Sequence, residues 1–179
     1  MIQYKRIFTD KDSLFQFGWE LYEASFPEVE RRGKDYHIET MKLEQFHAEI
    51  VLDDDLPIGI LFWWDLNNFR YVEHLATTST QRGKGYGNTI LNNFIALSDK
   101  PILLEVEHPT DDLSRRRIGF YERIGFVLNN HPYSQPSYQQ IKDTFVNLMV
   151  MTYPRAISSD ELQKFINEEF SVIHFRNFL

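Results

Sequence analysis

Hydrophobic and polar positions switch between a two-residue and a 3.6-residue period along the chain, and each switch marks an element. Residues 2–8 read as a first strand. Leu14, Phe17, Leu21 and Tyr22 then recur at helical spacing, behind Thr9 and Asp12 at a capping-box separation. This helix should stop near Phe26, because a residue before proline avoids the α region and Pro27 follows. Arg31, Arg32 and Gly33 break the chain again, ahead of a short helix from Lys34 to about Lys42. Strands are expected over 46–52 and 57–64, joined by Asp53-Asp54-Asp55, and over 69–77 after the Asn67-Asn68 turn. A glycine-rich stretch then opens a helix with Ile90, Leu91, Phe94, Ile95 and Leu97. Residues 102–107 form an apolar run suited to a buried strand, 110–124 a helix closed by Gly125, and 126–128 and 144–152 the last two strands. Ser158, with Glu161 three positions on, starts a final helix to about residue 177, with Leu162, Phe165, Ile166, Phe170 and Ile173 on one stripe. No repeat, linker or low-complexity tract interrupts this order, so one α/β domain spanning 1–179 is expected.

Composition narrows the function classes. Apolar residues at 42% and aromatic residues at 15% supply a core without metal or disulfide staples. Nineteen Lys and Arg against 26 Asp and Glu give a net charge of −7. That sign opposes nucleic acid or an anionic membrane as partner, since such binding neutralises phosphates. The absence of cysteine excludes a thiolate zinc site and a Cys nucleophile. No run approaches the roughly 18 apolar residues of a membrane span, and Met1 is not followed by a basic-then-apolar leader, which points to a cytoplasmic protein. The six histidines lack metal-ligand spacing, and the three aspartates lack the glycine and glutamate of a calcium loop, so no metal is expected. His74 and His108 read as structural histidines, and Trp63-Trp64 as one indole on each face of a strand.

Arg82-Gly83-Lys84-Gly85-Tyr86-Gly87 carries the most information. Glycines let the backbone approach a ligand, and the first turn of the following helix leaves N–H groups unpaired. With the helix dipole, Arg82 and Lys84, these make an anion site suited to a pyrophosphate. A turn that is glycine-rich for conformational reasons alone is the plain alternative. A Walker A loop would need Ser or Thr after Gly-Lys, but Lys84 precedes Gly85. A dinucleotide fingerprint spaces its glycines G-x-G-x-x-G. Here Gly83, Gly85 and Gly87 alternate and follow strands without repeated βαβ units, although Glu105 does lie about twenty residues on.

The stretch resembles the R/Q-x-x-G-x-G/A signature of GNAT acetyltransferases, with Arg82, Gly85 and Gly87 in the defining positions. Glu73-His74-Leu75-Ala76-Thr77 looks like that family's fourth strand, and Gly119-Phe120-Tyr121-Glu122-Arg123-Ile124-Gly125-Phe126 is similar to its F-Y-x-x-x-G-F element. Both signatures stand in the family's order, and the resemblance covers about residues 46–152. It implies an α/β (α+β) fold with a mixed, mostly antiparallel sheet, splayed between its fourth and fifth strands and flanked by helices. It also implies acetyl-CoA as co-substrate. Leu75, Ala76 and Thr77 would meet the pantetheine, and the amides of Gln81, Arg82, Gly83, Lys84, Gly85, Tyr86 and Gly87 the pyrophosphate. The acyl group would pass directly to a primary amine of a small molecule or a protein, and no G-x-S-x-G elbow offers a covalent route. The resemblance leaves a homodimer open.

Direct transfer asks for a proton acceptor at the amine and a donor at the departing thiolate. Tyr121 fits the donor role by its place in the family element and its intrinsic pKa near 10; a packed aromatic is the alternative. Glu73, on one strand face with Tyr71 and Leu75, is the leading base, acting directly or through water; an exposed strand glutamate is the alternative. Glu105 and Glu107 are further acidic candidates. The segment 129–143, long for a hairpin connection, offers Tyr133 and Tyr138 to an acceptor site favouring a cationic amine or a protein amino group. An acyl-CoA-binding regulatory domain with little turnover, and a protein working through its C-terminal helix, are the competing readings.

Overall fold

The computed structural model describes residues 1–138, 145–169 and 172–173. Contacts group the chain into two compact units, Met1–Asp65 with Val72–Asp99, and Leu66–Tyr71 with Lys100–Leu179. The first holds β1 (Ile2–Ile7), β2 (Phe46–Asp53) and β3 (Leu56–Asp65), with β1–β2 and β2–β3 antiparallel. It also holds most of β4 (Arg70–Thr77), whose first two residues belong to the second unit. The second unit continues with β5 (Ile102–Val106), β6 (Val127–Asn129) and β9 (Met149–Tyr153), where β9 runs antiparallel to both β5 and β6. The strand order is β1-β2-β3-β4-β5-β9-β6. β4 and β5 form the parallel pair that a helical crossover permits, here α3 (Tyr86–Ala96), so the sheet is mixed and the fold α/β.

α1 (Phe15–Ser25) and α2 (Lys34–Thr40) belong to the first unit. The expected stripe of α1 is rotated. Phe15, Gly18, Trp19 and Tyr22 are buried, whereas Leu14, Phe17 and Leu21 are half-buried. Rings decide the rotation: Tyr22 meets Phe62 at 5.4 Å and Trp19 meets His37 at 5.6 Å between centroids. Thr9 does not cap this helix; Asp12 accepts from the Leu14 N–H at 2.9 Å instead. α1 does end before Pro27, with Phe26 extended at ψ 141°. Trp63 and Trp64 point to opposite faces of β3 as expected, Trp63 against His47 and Phe94, Trp64 against Phe46.

In the second unit, α4 (Asp112–Ile124) starts on a reciprocal Asp111–Ser114 capping box and stops at Gly125, whose φ of 106° is the left-handed cap that glycine supplies. α5 (Ser159–Glu169) carries the expected Ser158–Glu161 box: Ser158 Oγ accepts from the Glu161 N–H, and a Glu161 oxygen from the Ser158 N–H. Leu162 and Phe165 are buried on it, and Phe170 lies outside the described residues. Of the segment 129–143, residues 139–143 lie outside the described residues, and the rest is no plain connection. β7 (Ser134–Pro136) pairs antiparallel with β8 (Phe145–Asn147) as a second, two-stranded sheet, and the expected strand 144–152 divides at Leu148 into β8 and β9. Strands of three residues, one containing Pro136, are too short to register as alternation. Among the described residues no helix is long and apolar enough to cross a membrane.

One titration should be visible in stability. On β2, Phe46, Ala48 and Ile50 enter the core while His47 and Glu49 turn to the other face. Burial pushes the Glu49 carboxyl from 4.5 up to about 7, against opposing pulls from Trp63 and Arg6. A raised carboxyl binds its proton more tightly in the fold, so stability is full below the unfolded pKa and falls as pH rises through 4.5 to 7. The shift is worth up to about 3 kcal/mol. Glu49→Gln should therefore raise the urea midpoint at pH 8 and leave it unchanged at pH 4. An equal effect at both would place the cause elsewhere.

Candidate active site

The phosphate-binding candidates gather in the first unit. Arg82, Gly83, Lys84 and Gly85 are exposed between a short 3-10 turn, Ser79–Gln81, and α3. Gly83 and Gly85 have φ of 78° and 85°, and a Cβ on either would meet nothing within 4 Å. Backbone conformation, not crowding, therefore demands glycine here. No side chain caps the N-terminus of α3. Its first N–H groups and the adjacent cations leave a cradle matched to an anion. Lys84 donates to Gln81 at 2.9 Å, and the Tyr86 hydroxyl donates to Asp53 at 2.7 Å, tying the loop to the β2–β3 turn.

Leu75, Ala76 and Thr77 are half-buried at the end of β4. β3 approaches them closely at Gly59, where a Cβ would stand 2.6 Å from the Ala76 carbonyl oxygen, and Thr78 N–H donates to Ile58 at 2.9 Å. Only glycine tolerates that approach, a constraint that no local pattern in the sequence announced.

Glu73 departs from the sequence expectation. Its side chain is fully enclosed and accepts two hydrogen bonds from the Arg32 guanidinium, at 2.6 and 2.5 Å. Burial alone would raise this carboxyl; Arg32 and then His74 outweigh it and hold it well below the usual carboxylate range. A carboxylate so held is a weaker proton acceptor than a free one, and its side chain has no exposed surface. Arg32 is itself buried, its guanidinium 5.3 Å from the Phe46 ring centre and 5.5 Å from that of Trp64, and its backbone N–H donates to the Tyr22 hydroxyl at 3.0 Å. His74 is structural, its Nε2 2.9 Å from the Glu30 carbonyl.

Tyr121 and the other acidic candidates lie in the second unit. Tyr121 falls on the buried stripe of α4 with Ser114 and Ile118 and touches Phe126, ring centres 5.7 Å apart. Its hydroxyl has no hydrogen-bond partner among the described residues. Burial pushes it up to about 12, with Arg117 pulling it down and Glu107 pushing it further up. Glu107 accepts from Arg117. Glu105 accepts from Tyr133, from Tyr71 at 2.6 Å and from Gln135 at 2.8 Å, and Gln135 also donates to Tyr138 at 3.2 Å. Glu105, Tyr133 and Tyr138, singled out from sequence, thus meet in one network, but as its framework. Tyr71 and Gln135 were not foreseen, since nothing local marks a glutamine on a three-residue strand. Among the described residues no cluster of three or more His, Asp or Glu could hold a metal ion.

A family model for the acetyltransferase (GNAT) domain matches residues 44–128. A solved structure from Bacteroides thetaiotaomicron, provisionally assigned to the GNAT acetyltransferase family, is 34% identical with a TM-score of 0.89, over 96% of this chain and 98% of its own. YjbC of Bacillus subtilis (strain 168), provisionally named an acetyltransferase, is 27% identical over 161 residues, 87% of this chain and 80% of its own. A GNAT family acetyltransferase from Elizabethkingia anophelis, solved with acetyl-CoA bound, shares the fold at 11% identity and a TM-score of 0.57, over 84% of this chain and 96% of its own.

Proposed function

The chain belongs to the GNAT family of acetyltransferases and is an acetyl-CoA-dependent N-acetyltransferase, and on that premise we propose how its residues divide the work. Gln81, Arg82, Gly83, Lys84, Gly85, Tyr86 and Gly87 hold the pyrophosphate through backbone amides and the two cations, and Leu75, Ala76 and Thr77 pair with the pantetheine. The uncapped α3 N-terminus behind two left-handed glycines is the observation that carries this reading. The acceptor is a primary amine. Its nitrogen forms a bond to the thioester carbonyl carbon and the C–S bond breaks; the proton that nitrogen loses passes to solvent, and the one Tyr121 gives to sulfur is replaced from solvent. Tyr121, protonated throughout the neutral range, donates to the departing sulfur.

Release of CoA from acetyl-CoA on addition of amines tests the activity directly. Binding is tested separately. CoA at a hundredfold above its Kd should stabilise the protein by about 2.7 kcal/mol, on the order of 5–10 °C in Tm. Gly85→Asp should abolish that shift, because it strains a φ of 85° and places a carboxylate in the anion cradle. A variant that keeps the full shift would remove the loop from the binding site.

A further inference from the structure

The second unit contains a cavity of about 600 Å³ beside the paired strands β7 and β8 and α5, a size within the roughly 300–1,000 Å³ of small-molecule sites. Its walls include Tyr133, Phe145, Leu148 and Ile166, together with His108 and His131. No Asp, Glu, Lys or Arg lines it among the described residues, in a chain that is 25% charged. The other polar wall residues are Asn130, Ser134 and Asn147. The Tyr133 hydroxyl is spent on Glu105, so the cavity meets its ring. His131 uses both nitrogens, Nε2 at 2.8 Å from the Ile157 carbonyl and Nδ1 at 3.3 Å from Ser159. The carboxylates expected to attract a cationic acceptor are engaged as well, Glu105 by Tyr71, Tyr133 and Gln135, Glu107 by Arg117. One wall residue, His108, directly follows Glu107, whose charge acts with that of Arg117 on the Tyr121 hydroxyl.

We propose that this cavity receives the uncharged aromatic or branched apolar body of a small primary-amine acceptor, making the enzyme selective for arylalkyl amines over di- and polyamines. The inference rests on the acyl-transfer reading of Tyr121. A second ammonium would find no carboxylate among the described wall residues, whereas a phenyl ring gains contact with Tyr133, Phe145 and Leu148.

The test compares 2-phenylethylamine with 1,4-diaminobutane in wild type and in Phe145→Asp, with Phe145→Leu as the conservative control. Phe145 is 54% exposed, so its replacement costs the core little. The wild type should show kcat/KM at least about tenfold higher for 2-phenylethylamine, the scale of one to a few apolar groups in a pocket. Phe145→Asp should lose about tenfold or more of that value through KM, with the CoA-induced Tm shift intact, and Phe145→Leu should retain most of it. Preference for the diamine, or an unaffected Phe145→Asp, overturns the proposal. Calorimetric titration of 2-phenylethylamine into the CoA complex separates this inference from its premise. Binding that Phe145→Asp abolishes, without CoA release from any amine, would sink the transfer reading and leave the cavity assigned. Failure to bind overturns the assignment whatever the turnover.

Discussion

Tyr121→Phe is expected to lower kcat by about 10²–10⁴ while leaving the CoA-induced rise in Tm unchanged, the loss typical of removing a positioned proton donor. The substitution is clean for structural reasons. The phenol oxygen has no partner among the described residues, so its removal orphans no buried group. The ring's contacts, with Phe120 at 5.2 Å and Phe126 at 5.7 Å between centres, survive. Stability should stay within about 0.5 kcal/mol of wild type, as for a replacement that leaves packing intact. Because burial lifts the hydroxyl to about 12, wild-type turnover should show no loss assignable to Tyr121 ionisation between pH 6 and about 10. Single-turnover rates with saturating acetyl-CoA make the measurement. Turnover near wild type would return Tyr121 to a packing role.

Arg32→Met is expected to cost about 3–5 kcal/mol, the usual penalty for stranding one member of a buried ion pair. Glu73 would keep a carboxylate with no solvent exposure and lose its two guanidinium hydrogen bonds. The double variant Arg32→Met, Glu73→Met should recover most of the loss, because two apolar side chains of similar volume remove the desolvation cost along with the attraction. Urea midpoints of the two variants and wild type measure this; a loss below about 1 kcal/mol for Arg32→Met alone would contradict a buried pair. The same variants separate structure from catalysis at Glu73. Glu73→Gln should lower the folded fraction first and change kcat per folded molecule by less than about tenfold, below the usual worth of a general base. A hundredfold loss in kcat with an alkaline shift of the pH–rate profile would restore Glu73 as the base.

What the chain determined by itself was local. Gly83 and Gly85 read as loop glycines because a left-handed φ is a property of one residue, and the structure gives both that conformation. Gly125 was legible as the end of α4 because its cap geometry is settled within a few residues. Tertiary structure decided what neighbours do to a residue. Glu73 looked like an available base until Arg32, 41 residues away, closed on it. Glu105 looked like an anionic lure until Tyr71, Tyr133 and Gln135, 34, 28 and 30 residues distant, took its oxygens. The β7–β8 pairing and the rotated face of α1 belong to the same class, since pairing register and ring packing depend on partners that local periodicity does not contain. Period and turn chemistry are written in adjacent residues, but the charge state and accessibility of a side chain are set by whatever the fold brings beside it.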